Sequence, residues 1–192
     1  ITQPPVLASI LRKIVEKNKL NNDQNSRIIK VIKKIKNYHD WFIKFRDPNK
    51  TGLVSILHPW ESGYDNSPIW DQPMSNIKVD KDLNYKRRDL EVSNSDERPL
   101  KTDYDRYVTL RDQFRDVQYD PHKLYKISDF NVVDVGFNAL FLRANKDLLS
   151  LAKNFDLNFD DLNNFISKTE NEILKLYDDN INDFVSKDLK TN

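Results

Sequence analysis

Cysteine is absent from the 192-residue chain, which excludes a disulfide framework, a thiolate metal site and a cysteine nucleophile. Glycine is scarce, with three in all, and none belongs to a glycine-rich phosphate loop. His39, His58 and His122 lie far apart without paired carboxylate spacing, which argues against a metal site built on them. There is no serine nucleophile elbow. Charge of one sign is also missing: 31 Lys+Arg face 30 Asp+Glu, for a net charge of +1, so no global field draws the chain to nucleic acid or to an anionic membrane. No apolar run approaches the ~18 residues of a membrane span, and no basic-then-apolar leader opens the sequence.

A mean hydropathy of −0.74 would suit a disordered chain. The 38% hydrophobic and 11% aromatic residues fall in helical stripes, however, and argue for a folded protein. The length suits one domain with its own core. A first residue that is Ile1 and an end at residues 187–192 without a natural tail suggest a piece of a longer protein.

The stripes predict an all-α fold. Pro4 and Pro5 precede a 3,4-spaced run of Val6, Leu7, Ile10, Leu11, Ile14 and Val15, which predicts a helix over residues 5–18. Ile28, Ile32, Ile35, Tyr38, Phe42 and Phe45 predict a second helix ending near Arg46. Residues 47–52 form a turn signal, and 53–57 a short extended segment. Residues 79–101 are charged and aperiodic, a long loop excursion of the kind that often carries function. A helix capped by Thr102 is expected over 103–118, an apolar one within 130–155, and a last one from 157 to about 185.

Residues 58–71 read His-Pro-Trp-Glu-Ser-Gly-Tyr-Asp-Asn-Ser-Pro-Ile-Trp-Asp and concentrate two tryptophans, a tyrosine, a histidine and three carboxylates around one glycine. Aromatic rings stack on sugar faces and carboxylates move protons, so the cluster suggests a carbohydrate site. Asp65 among Trp60, Tyr64 and Trp70 would be a desolvated acid able to donate a proton, or it caps a short turn over 66–70; both readings stay open at this point. Glu61, in the same tight turn, is poorly placed to flank a sugar ring opposite Asp65 and reads as a hydrogen-bonding support for loop amides. His58, next to a proline, reads as a loop-ordering residue. Trp60 and Trp70 are core residues by default, though their polar neighbours favour at least one ring facing a sugar. Arg98 and Tyr104 flank Pro99 as surface charge and core ring, or as a grip on a carboxylate-bearing group.

The 58–71 segment resembles the motif of bacterial glycoside hydrolases of the mannosylglycerate and glucosylglycerate hydrolase type, in or beside glycoside hydrolase family 63. Trehalases share a looser version. Three further segments agree in order: Ile1-Thr2-Gln3-Pro4-Pro5, then Arg98-Pro99 with Asp103-Tyr104-Asp105-Arg106-Tyr107, then Phe130-Asn131-Val132-Val133-Asp134-Val135-Gly136-Phe137-Asn138-Ala139.

The resemblance implies an incomplete portion of an (α/α)6 barrel, here the central part of one catalytic domain truncated at both ends. It implies inverting hydrolysis of a small α-glycoside in the cytoplasm, without metal or cofactor. By the same resemblance Asp65 is the general acid, Gln3, Trp60 and Gly63 are sugar-site positions, and Arg98 with Tyr104 bind the glycerate carboxylate. Tyr64 departs from the family, which has Met or a similar residue there. The family's general base, a glutamate, lies downstream of this chain, so the chain alone is expected to be inactive. The rival readings are a trehalase-like or oligosaccharide α-glucosidase and a non-catalytic helical carbohydrate-binding or scaffolding module.

Overall fold

The computed structural model describes residues 1–91 and 97–191; residues 92–96 of the expected 79–101 excursion lie outside them. The described chain is mostly helical, and five of its seven α-helices have 11 residues or more. It forms two compact units, one of Ile1–Gln3, Ile56–Val132 and Asp188–Asn192, the other of Pro4–Ser55 and Val133–Lys187.

The second unit holds helices α1 (Leu7–Lys17), α2 (Asn22–Arg46), α6 (Val135–Asn154) and α7 (Asp161–Leu174). At the start of α2, Asn21 and Gln24 form a reciprocal capping box, which satisfies two backbone donors that helix geometry leaves unpaired. The stripes meet where expected. Ala8 of α1, Ile32 and Ile35 of α2, Ala144, Leu148 and Leu151 of α6, and Leu162 and Ile166 of α7 make one apolar core. Phe42 packs on Phe137 and Phe141 at 5.5 and 5.4 Å between ring centroids. Asn138 and Asn145 of α6 have no exposure, and each has a defined task. Asn138 replaces a strand partner for Val54, accepting from its N–H and donating to its carbonyl, both at 2.8 Å. Asn145 accepts from His39 Nδ1 at 2.8 Å, and burial lowers the pKa of His39 to about 4, so the ring is neutral at pH 7.

The turn signal at 47–52 forms as expected. Asp47 accepts from the amides of Thr51 and Gly52 at 2.6 and 2.7 Å. Gly52 has φ +93°, and a Cβ there would lie 2.7 Å from Lys168 Cγ, so glycine meets both a conformational and a packing demand.

The first unit holds α3 (Asp71–Ser75), α4 (Lys101–Asp116) and α5 (Pro121–Ile127). Leu57 packs with Phe114 and Leu124. Ile56 and Val132 exchange backbone hydrogen bonds at 2.8 and 3.0 Å.

Four local expectations are corrected. The apolar run within 130–155 becomes helical only at Val135, because Val132 is paired as a short extended segment and Asp134 caps the helix by accepting from Phe137 N–H. The last helix stops at Leu174 and is followed by an antiparallel pair, Tyr177–Asp178 with Asp183–Phe184. Aspartates are unfavourable beyond a helix C-terminus, and Asn182 at φ +56° takes the left-handed turn position. Helix α4 begins at Lys101 without a side-chain cap, leaving Thr102 inside its first turn. Helix α5, for which no helix was expected, is fixed by Asp120 accepting from the His122 and Lys123 amides, with Pro121 in the first turn. No helix among the described residues is long and apolar enough to cross a membrane.

Candidate active site

Residues 58–71 fold as two single-turn 3₁₀ segments joined by a bend at Gly63. His58 caps the first, Pro59–Glu61, with Nδ1 accepting from Trp60 N–H at 3.0 Å. Its Nε2–H donates to the carbonyl of Tyr107 at 2.9 Å, so the imidazole is a neutral bridge between loop and helix α4. Burial lowers its pKa to about 4, which keeps that tautomer at neutral pH. Trp60 lies against this ring, with centroids 4.4 Å apart, and also contacts Tyr104 and Tyr107 at 6.2 and 5.7 Å.

Glu61 is fully buried and its oxygens are acceptors. Oε2 accepts from Leu57 N–H at 2.7 Å, while Oε1 accepts from the amide and hydroxyl of Thr2 at 3.0 and 2.9 Å. The expected supporting role extends further than the loop: Glu61 also fastens the chain start, and with it Gln3. Gly63 has φ +82°, a conformation that disfavours other side chains.

Trp70 is 1% exposed. It stacks with Tyr64 at 5.6 Å and an interplanar angle of 18°, and its Nε1–H donates to the Tyr64 carbonyl. It therefore belongs to the core, and Trp60 is the tryptophan left to face a cavity. The 3₁₀ turn Pro68–Trp70 is capped by Ser67, so Asp65 is not its cap. Asp65 is half-buried, and its backbone carbonyl accepts from the Tyr107 hydroxyl at 2.8 Å. Burial, followed by the charges of Asp65, Asp103 and Asp71, raises the Tyr107 pKa to about 12, so the phenol remains a donor.

A cavity of about 630 Å³ opens in this unit, and Gln3, Trp60, Gly63, Asp65, Arg98 and Tyr104 all line it. Residues spread from position 3 to position 104 thus converge on one space. Arg98 brings a cation to its wall, and Asp65 and Asp89 bring carboxylates. Tyr104 and Tyr107, three residues apart on α4, present two rings to the same side. A volume of this size suits a small polar ligand of one or two sugar-sized groups. No group of three His, Asp or Glu side chains is placed to hold a metal among the described residues.

Tyr107 and Asp89 also line the cavity, although nothing in the sequence reading singled them out for it. Tyr107 had a signal, its i,i+3 spacing from Tyr104. Asp89 had none, since it lies in the aperiodic 79–101 segment.

By sequence and fold the chain falls in a glycoside hydrolase family. The chain belongs to the family described as mannosylglycerate hydrolase MGH1-like glycoside hydrolase domain, whose model matches residues 1–192. It is 51% identical over 152 residues to the mannosylglycerate hydrolase of a strain of Thermus thermophilus, an alignment that covers 79% of this chain and 37% of that protein. It is 43% identical to mannosylglycerate hydrolase MGH1 of Selaginella moellendorffii, over 79% of this chain and 31% of that protein. With the glucosylglycerate hydrolase of Mycolicibacterium hassiacum it shares 32% identity, over 81% and 36% of the two chains.

Among solved structures it resembles the GH63 mannosylglycerate hydrolase from another strain of Thermus thermophilus, in complex with Tris and D-glycerate. The TM-score is 0.96 at 43% identity, covering all of this chain and 46% of that one. The chain thus spans about a third of the length of these curated relatives and under half of the solved one. The fold class is all-α, as expected, and consistent with a portion of a larger helical barrel.

Proposed function

We propose that the longer protein carrying this chain is an inverting α-glycosidase that hydrolyses a small glycoside of glycerate, with mannose or glucose as its sugar, and that residues 1–192 are the central part of its catalytic domain. Asp65 gives its proton to the glycosidic oxygen as the bond from the anomeric carbon to that oxygen breaks. Water attacks the anomeric carbon from the opposite face, and a general base outside this chain takes the water's proton. The products are the free sugar with inverted anomeric configuration and glycerate. Gln3, Trp60 and Gly63 hold the sugar, and Arg98 with Tyr104 hold the glycerate carboxylate, the guanidinium through paired hydrogen bonds.

The observation that carries this reading is the convergence of all six residues on one 630 Å³ cavity, with a half-buried carboxyl and an arginine among its walls. The named relatives act on glycerate conjugates by their printed names, and the solved relative holds D-glycerate.

The test is Asp65→Asn in the full-length protein. Hydrolysis of mannosylglycerate and glucosylglycerate should be abolished while calorimetric binding of the glycoside persists. Near-normal turnover in the variant overturns the assignment of the acid. A trehalase-like enzyme would share Asp65 but not depend on Arg98, so Arg98→Ala separates the two substrate classes.

A further inference from the structure

Arg87, from the aperiodic segment, lines no part of the cavity, yet it touches both proposed carboxylate-binding residues or their immediate supports. All three of its guanidinium nitrogens are engaged. Nε and Nη2 meet the two oxygens of Asp89 at 3.2 and 2.5 Å, and Nη1 donates to the carbonyl of Pro99, the residue after Arg98, at 2.8 Å. The guanidinium lies over the ring of Tyr104, 4.3 Å from its centroid. Tyr85 stacks on that ring at 5.5 Å and is itself tied to Asp105 on helix α4 through its hydroxyl.

Resting on the reading that Arg98 and Tyr104 bind a carboxylate, we propose that Arg87 is the positioning residue that sets the distance and orientation between them, with Asp89 as its orienting partner. Regular structure supplies little of that geometry, since Arg98 precedes helix α4, which begins at Lys101. Arg87 supplies the link. One planar group binds the Pro99 peptide through its edge and the Tyr104 ring through its face, while the Asp89 fork stops it from rotating. The arrangement has an electrostatic consequence as well. The hydrogen bond from Arg87, with a smaller contribution from the charge of Arg98, holds the Asp89 carboxyl below the usual carboxylate range, so Asp89 stays an anion able to hold the Arg87 fork. A lysine cannot take this place, because one ammonium group has no planar face to lay on the ring and no fixed fork for a carboxylate.

The experiment uses the full-length protein and two substrates that differ in charge at the aglycone: the glycerate glycoside, and the same sugar linked to glycerol. The readout is the ratio of kcat/KM for the charged substrate over the neutral one. For Arg87→Gln that ratio should fall about tenfold, mainly through KM of the charged substrate. Arg87→Lys should fall with it, and Asp89→Asn, which loosens only the fork, should move the same way by a smaller factor. Arg98→Ala calibrates the clamp itself. If Arg98→Ala leaves the ratio at its parental value, the carboxylate reading fails. If Arg98→Ala collapses the ratio but Arg87→Gln and Asp89→Asn keep it, the clamp stands and the role of Arg87 is overturned. Equal loss on both substrates in Arg87→Gln and Asp89→Asn also overturns it, since a general structural role would act on both alike.

Discussion

Replacing Glu61 tests the physical basis of the whole site. Its side chain has no exposure and accepts from Leu57 N–H, Thr2 N–H and the Thr2 hydroxyl. In Glu61→Gln one oxygen becomes an NH₂ group, and the less costly placement turns it toward Thr2, whose hydroxyl can rotate to accept. The Thr2 N–H then loses its acceptor, a penalty of about 1–3 kcal/mol. Glu61→Ala removes all three bonds, strands the buried Leu57 N–H and leaves a cavity, which should cost about 3–5 kcal/mol. The urea midpoint of the full-length protein should drop in both variants, about twice as far for Ala as for Gln. Because Thr2 carries Gln3 beside it, the Gln variant should also show a raised KM for the glycoside. An alanine variant within about 0.5 kcal/mol of the parent, the range of ordinary surface substitutions, would refute the clamp.

Two further outcomes are expected. His39 has a folded pKa of about 4 against 6.5 for the free side chain, so its neutral burial contributes fully above about pH 6.5. Its contribution is lost as pH falls toward 4, because the unfolded chain binds the proton first; the amount is about 3 kcal/mol. His58, also near 4, adds a similar slope in the same window. His39→Gln should therefore flatten the stability change between pH 7 and 4.5 in equilibrium unfolding, and an unchanged slope would discount the mechanism. Tyr107→Phe deletes the bond to the Asp65 carbonyl. It should cost about 1 kcal/mol of stability and lower kcat about tenfold with little change in KM, because the backbone that carries the acid is no longer fixed; steady-state kinetics at a parental kcat would contradict it.

Several features that depend on neighbouring residues were legible in the sequence, although the Asp120 cap of helix α5 was not. The Asp47 turn closes on Gly52 because one short carboxylate reaches amides four and five residues ahead, and the stripes of α1, α2, α6 and α7 meet because a 3.6-residue period lines apolar groups along one face. The composition of residues 58–71, with carboxyl groups among rings, was equally legible, as was a supporting role for Glu61. Features that depend on distant partners had to wait for the folded chain. Trp60 and Trp70 are alike in sequence context, but Trp70 stacks on Tyr64 and packs against Phe130, whereas Trp60 rests on His58 beside open space. The start of α6 was set by pairing of Val132 with Ile56, a contact across the chain that local periodicity does not encode. Gln3 reaches the cavity wall beside a Thr2 that Glu61 holds from 59 residues away. Arg87 and Asp89 sit in a segment without any period, and the contacts of Arg87 with Pro99 and Tyr104 arise only once helix α4 has a place to pack. Helical periodicity is a property of short range and survives in the sequence, whereas the walls of this cavity are set by side-chain contacts between segments that only folding brings together.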